Sequence, residues 1–142
     1  VSVALPVGDQ IVLIERMWTA ATPFNVVADL DDKFAIDSCT SGRAILATYP
    51  EAQARQTVGD ERYERVRPRL LEVAQAGGYS FGHSEQRKGL SSMGYPIRRG
   101  QDAAVGALVI AGLEMDAVLQ VSSPLARQLQ RACGGMAEQL FG

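Results

Sequence analysis

The chain has 142 residues, 46% of them hydrophobic, with a net charge of −2, two cysteines and one histidine. A single domain of this length buries roughly 68–70% of its unfolded surface, so it needs no disulfide or metal to fold. No basic stretch offers a phosphate-binding footprint, which argues against direct nucleic-acid binding. One histidine cannot complete the usual Cys/His zinc patterns, and Cys39 and Cys133 form no CxxC pair.

The first elements read as a hairpin. Val1, Val3, Leu5 and Val7 alternate, "GDQ" turns, and Ile11 to Trp18 form a second strand. The chain opens in mid-strand, which fits a trimmed domain. "TPFNVVADL" reads as a weaker third strand, and "DDKFAID" as the break after it. Asp37, Ser38, Thr40 and Ser41 are all able to cap a helix running to about Thr48. Pro50 ends that helix and opens a short one, "PEAQARQTV". "DERYERVRPRLLEVAQAGG" predicts a longer helix, with Pro68 in its first turn or kinking it and Gly77–Gly78 stopping it. Its mixed charges read as a solvated face or a partner surface.

"YSFG" and "GLSSMGYPIRR" follow as strands. "RGQD" is a turn with Gly100 at positive φ, and "AAVGALVIAGL" is a buried strand, too short to span a membrane at ~20 residues. The last element is a helix capped by Ser122 or Ser123, with Pro124 in its first turn and an apolar stripe of Leu125, Leu129, Ala132, Met136 and Leu140. Its Gly134–Gly135 pair costs about 1 kcal/mol per residue relative to Ala. The pair marks either close helix–helix approach, here or across a dimer, or a kink. The order β-β-β, helices, β-β-β, helix predicts an α/β (α+β) domain with a mostly antiparallel central sheet of about six strands flanked by helices.

Three constellations carry chemistry. His83 and Glu85 would share one face of a strand and could orient an imidazole, with Cys39 near a helix N-terminus as nucleophile. "TSGRAIL" presents free N–H groups at a helix start, either as an ordinary cap or as a place for a carboxylate or phosphate. Strand parity puts Ser92 with Gly94, and Val105, Ala107, Val109 and Ala111 together. Small residues on faces that should be core leave either room for a small anionic ligand or space for close helix packing.

Taken together, "CTSGRAILA", "AGGYSF…E…GLSSMGYPI" and "AVGALVIAGL" resemble, in order and spacing, the C-terminal effector-binding domain of IclR-type bacterial transcriptional regulators. The resemblance runs the length of the chain and implies a GAF-like fold. It implies a cytoplasmic homodimer or homotetramer without cofactor, metal or membrane contact. Operator DNA would be bound only through an N-terminal winged helix-turn-helix domain that is absent from residues 1–142. Its small-molecule effector pocket would be lined by Phe24, Val26, Thr40, Ser41, Gly82, Ser92, Val109 and Ala111. A ligand carboxylate would sit at Ser38–Gly42, with its apolar body on Phe24, Val26, Val109 and Ala111. Where the family often has an acidic pair, this chain has Gly82 and His83. Where the family often has small hydroxyl residues, it has Val109 and Ala111. The pocket should be less polar than one built for a two- or three-carbon oxoacid. A small thiol enzyme using Cys39 and His83 is the alternative, and a purely structural dimerisation module is a third reading.

Overall fold

The computed structural model describes residues 1–16, 33–83, 85, 88–113 and 119–142. In chain order the elements are β1 (Ser2–Val7), β2 (Gln10–Arg16), β3 (Lys33–Ala35), α1 (Thr40–Leu46), α2 (Glu51–Val58), α3 (Asp60–Gln75), β4 (Ser80–His83), β5 (Leu90–Ile97), β6 (Gly106–Leu113) and α4 (Pro124–Phe141). The six strands form one sheet in the order β3-β2-β1-β6-β5-β4, and every ladder is antiparallel. This is the GAF-like α/β architecture, with helices on both faces of the sheet.

Period-two alternation decides which side chain goes to which face. Ala4, Ile11 and Ala107 join Ile36, Ala44, Ile45 and Leu46 in a core beneath α1, α2 and α3. Met93, Ile97 and Leu108 join Tyr79, Ala126, Leu129 and Cys133 in a second core beneath α4. The β1–β2 connection is a two-residue turn, Gly8–Asp9, with Gly8 at φ +62° as such tight hairpins require.

Helix α1 is the centre of the domain, and all seven of its residues are buried. It can lie so deep because Gly42 has no side chain. A Cβ there would stand 2.7 Å from the carbonyl carbon of Ile36 and 2.8 Å from its Cα. The contact is with backbone, which has nowhere to retreat. Complete burial of Ile45 and Leu46 contributes about 1.5–3 kcal/mol each.

The structure corrects one sequence expectation and refines two. "DDKFAID" is not a break: Lys33–Ala35 pairs with Gln10–Val12 as β3, while the predicted strand "TPFNVVADL" lies outside the described residues. Of the two expectations for Pro68, the first turn is excluded, because it stands in the interior of α3. Its missing N–H removes one helical hydrogen bond, on a helix whose buried residues Tyr63, Val66, Leu70 and Val73 hold it to the core by tertiary packing. On α4 the buried stripe is Ala126, Leu129 and Cys133, while Ala132 and Leu140 are exposed. The predicted Leu129 is in the core, and Leu125 and Met136 pack half-buried against it. A Cβ at Gly134 or Gly135 would meet nothing within 4 Å, so close approach inside the chain does not require that pair.

The charged face of α3 is tied into the fold. Arg62 donates to Asp37 through Nε (3.1 Å) and Nη2 (2.5 Å), and through Nη1 to Asp9 (2.9 Å). It clasps the β1–β2 turn and the approach to α1. Arg55 bridges Glu51, Asp60 and Glu64 and lies 4.5 Å over the Tyr63 ring.

The hydrogen bond from Arg62 holds the Asp37 carboxyl below the ordinary value of 3.8. Its stabilisation is complete above pH 3.8 and is lost as pH falls through the lower folded value. Melting curves of the chain and of Asp37→Asn should therefore diverge above pH 3.8 and converge in stronger acid. A gap that persists after Asp37 is protonated would rule this linkage out. Gly42→Ala should destabilise by about 3 kcal/mol or more, beyond ordinary overpacking. An unchanged denaturation midpoint would mean that α1 is not seated on Ile36 as described.

Candidate functional site

The sequence-predicted residues fall into two groups. Thr40, Gly82, Ser92 and Ala111 come together on the sheet face that α1 covers. Register places Gly82, Ser92 and Ala111 side by side across β4, β5 and β6. The next row is Ser80, Gly94 and Val109. Val109 is half-buried and Ala111 exposed. Ser41 is also buried, but its hydroxyl approaches Cys39 Sγ at 3.7 Å. Phe24 and Val26 lie outside the described residues.

The closest union is a hydroxyl pair. Thr40 Oγ1 and Ser92 Oγ are 2.6 Å apart, joining the first residue of α1 to the middle of β5. A Cβ on Gly82 would fall 2.7 Å from Ser92 Oγ, 2.7 Å from Glu85 Oε1 and closer still to Thr40 Oγ1. Three oxygens thus crowd around one point above β4, and glycine, with no Cβ, is what lets them converge there. Across the row, a Cβ on Gly94 would touch the Thr40 Cγ2 and carbonyl oxygen at 3.4 Å. Small residues therefore serve close helix packing at Gly42 and Gly94, and a polar convergence at Gly82.

Arg43 and Glu85 are the functional side chains that sequence reasoning missed or misplaced. Arg43, one turn along α1 from Thr40, is a guanidinium with only 2% exposure. It donates from Nη1 to Glu85 Oε2 (2.8 Å), and from Nη2 to Glu85 Oε1 (2.5 Å) and the Phe81 carbonyl (3.1 Å). A fork-to-fork pair of this kind is the strong form of the carboxylate–guanidinium bond. Losing one partner of such a buried pair costs up to about 3–5 kcal/mol. Arg69 of α3 reaches the same group from the rim, 3.6 Å from Glu85 Oε1 and donating to the Phe81 carbonyl at 3.2 Å. A lone cation inside the otherwise small and apolar "TSGRAILA" was the available signal. A buried arginine demands a carboxylate, and the acidic residue after β4 supplies it.

The predicted Cys39–His83–Glu85 constellation does not assemble. Glu85 lies beyond the last residue of β4 and turns to the α1 side, whereas His83 pairs in register with Ser91 on the opposite face. His83 Nδ1 is 3.2 Å from Ser91 Oγ. Cys39 caps α1, accepting from the Gly42 N–H at 3.3 Å. That is the role expected of Ser or Asp, and it uses one of the N–H groups that an anion would need. Burial pushes the Cys39 thiol above its ordinary value, and Cys133 is pushed up to about 12 by the same cause. Both therefore stay protonated at neutral pH. No group of three or more His, Cys, Asp or Glu among the described residues could hold a metal ion, and no described helix is long and apolar enough to cross a membrane.

A groove of about 520 Å³ opens elsewhere, between the C-terminal ends of α1 and α3, the β5–β6 turn and α4. Its walls include Thr48, Tyr95, Arg98 and Gln130 and none of the predicted site residues.

Several proteins of known structure share this fold. A chain from Rhodococcus sp. RHA1 assigned as a transcriptional regulator superposes with a TM-score of 0.81 at 22% identity, over 98% of this chain and 61% of that one. The IclR of Thermotoga maritima does so at 0.77 and 20% identity, over 98% and 60%. An IclR homologue of Microbacterium hydrocarbonoxydans, solved with 4-hydroxybenzoate, does so at 0.73 and 20% identity, over 98% and 59%. The chain thus has the fold found in IclR-type transcriptional regulators and spans about three fifths of the length of these solved chains. No family model and no curated protein matches the sequence.

The thiol assignment has a direct check. Cys39 and Cys133 should both resist a disulfide-exchange probe between pH 5 and 8 in the folded chain and react once it is unfolded. Rapid labelling of one thiol at pH 5–6 would restore a nucleophile to the picture.

Proposed function

We propose that this chain is the ligand-sensing domain of an IclR-type transcriptional regulator, and not an enzyme. The observation that carries the reading is the Thr40–Ser92 hydroxyl pair, set between Gly82 and the apolar strand positions Val109 and Ala111. It offers polar recognition at one end and apolar contact beside it, with no nucleophile in reach. The 4-hydroxybenzoate complex of a protein with the same fold supports the ligand class, a small aromatic or carboxylate-bearing metabolite. Ser80 adds to this: its hydroxyl is buried without a hydrogen-bond partner on the same face, two residues before Gly82.

The polar head of the ligand binds at Thr40 and Ser92, and its body lies against Val109 and Ala111, with Phe24 and Val26 as further lining. Helix α1 has seven residues, and Cys39 already caps its Gly42 N–H, so its dipole is a minor contributor. The two hydroxyls supply orientation. Burial of an aromatic-sized body adds about 1.5–3 kcal/mol. Signalling follows if the ligand favours one arrangement of a cytoplasmic homodimer or homotetramer by about 1–3 kcal/mol over another. A separate winged helix-turn-helix domain reads the operator, consistent with the net charge of −2 on this chain.

Isothermal titration with 4-hydroxybenzoate tests the site. Thr40→Val combined with Ser92→Ala should weaken binding about tenfold, since each lost hydrogen bond costs about 0.5–1.5 kcal/mol. Wild-type affinity in the double variant would refute this placement. In a chain joined to its DNA-binding domain, the same ligand must change operator affinity if the domain is a sensor.

A further inference from the structure

We infer that Glu85 is a resident carboxylate that an acidic ligand displaces from Arg43. The inference rests on the sensor reading above and goes further, assigning how the site takes an anion. Arg43 is the buried cation beside the Thr40–Ser92 pair, and both of its terminal nitrogens are engaged by Glu85. Glu85 Oε1, Thr40 Oγ1 and Ser92 Oγ converge over Gly82, where no side chain stands between them. A carboxylate therefore already occupies the place that chemistry assigns to a ligand carboxylate: a guanidinium fork on one side and two hydroxyls on the other. An incoming acid cannot simply add there, because two carboxylates on one guanidinium repel each other. It has to take the place of Glu85.

The exchange leaves no buried charge unpaired. Arg43 passes from one carboxylate to another. Glu85 is the exposed member of the pair, at 26% against 2% for Arg43. Its departure is outward, toward solvent and toward Arg69, whose Nη2 stands 3.6 Å from Oε1 and whose side chain is 46% exposed. Arg69 keeps Glu72 on its Nε at 3.3 Å, so its Nη2 side is the one turned to Glu85. Both arginines donate to the Phe81 carbonyl within β4, so the released carboxylate needs to move only from one guanidinium to its neighbour. The two cations belong to different helices. Charge arriving at α1 therefore changes the ion pairing of α3.

The probes are benzoate and its neutral counterpart benzyl alcohol, titrated calorimetrically into the chain and into Glu85→Gln. With Glu85 neutralised, Arg43 lacks its resident anion, and benzoate should bind at least tenfold more tightly than to the wild type. Benzyl alcohol should bind the two proteins alike. An equal gain for both probes, or no gain for benzoate, overturns the exchange. Should Glu85→Gln fail to fold, Arg69→Ala serves instead, since its side chain is on the surface. Loss of the waiting partner should weaken benzoate several-fold and leave benzyl alcohol unchanged, and unchanged benzoate affinity overturns the proposal. If neither protein binds benzoate, the exchange is wrong, while a neutral ligand at Thr40 and Ser92 would still satisfy the sensor reading.

Discussion

Arg43 cannot occupy the centre of this domain without Glu85. A guanidinium buried that deep needs an anionic partner within hydrogen-bond reach. The fold must therefore bring an anion to it, and the anion comes from the far end of β4, 42 residues along the chain. That single requirement fixes the height of α1 above the sheet, the direction in which the chain leaves β4, and the approach of Arg69 from α3. It also puts a carboxylate beside the only hydroxyl pair described here that joins α1 to β5. Stability and the proposed recognition share the same atoms.

Close seating of α1 is the second condition, and the glycines provide it. Gly42 lets the helix backbone rest on Ile36, and Gly94 lets Thr40 settle onto β5. With larger residues there, Thr40 would ride too high to reach Ser92, and Arg43 too high to reach Glu85. The opposite face of the sheet follows a different rule. Under α4 the side chains are large, and Tyr79, Tyr95 and Met93 fill the space as an ordinary core. Both faces of the sheet carry a core, but only the α1 face also brings small and hydroxyl residues together, and strand parity alone separates the two. The same parity sends His83 away from Cys39 and leaves that pair without joint chemistry.

Much of this was legible beforehand. Hairpin alternation, the proline-led helix starts and the Gly77–Gly78 stop are local signals, and each element they mark is present. The α/β class and the GAF-like order followed from them and from the family resemblance. Thr40, Gly82, Ser92 and Ala111 were chosen on that resemblance and on parity, and the register brings them together. What failed did so for identifiable reasons. Lys33–Ala35 is too short and polar to declare itself a strand, and it exists because β2 offers an edge to pair with. Pro68 leaves two places open locally, and the buried residues on either side keep it inside the helix. The predicted α4 stripe includes the buried Leu129 but misses Ala126 and Cys133, whose burial depends on where β5 lies.

By itself, the sequence determined what depends on neighbours along the chain: where strands alternate, where helices begin and end, and that the domain carries no basic footprint for nucleic acid. It also placed hydroxyls and glycines at the right parity. Only the tertiary structure decided which buried charge meets which. Arg43 could have been a surface residue and Glu85 the orienting partner of His83 for all that spacing reveals. Their pairing arises from the distance between a helix and a strand end that are remote in sequence. Electrostatic partners of that kind are set by where the backbone returns in space, and no local pattern records it.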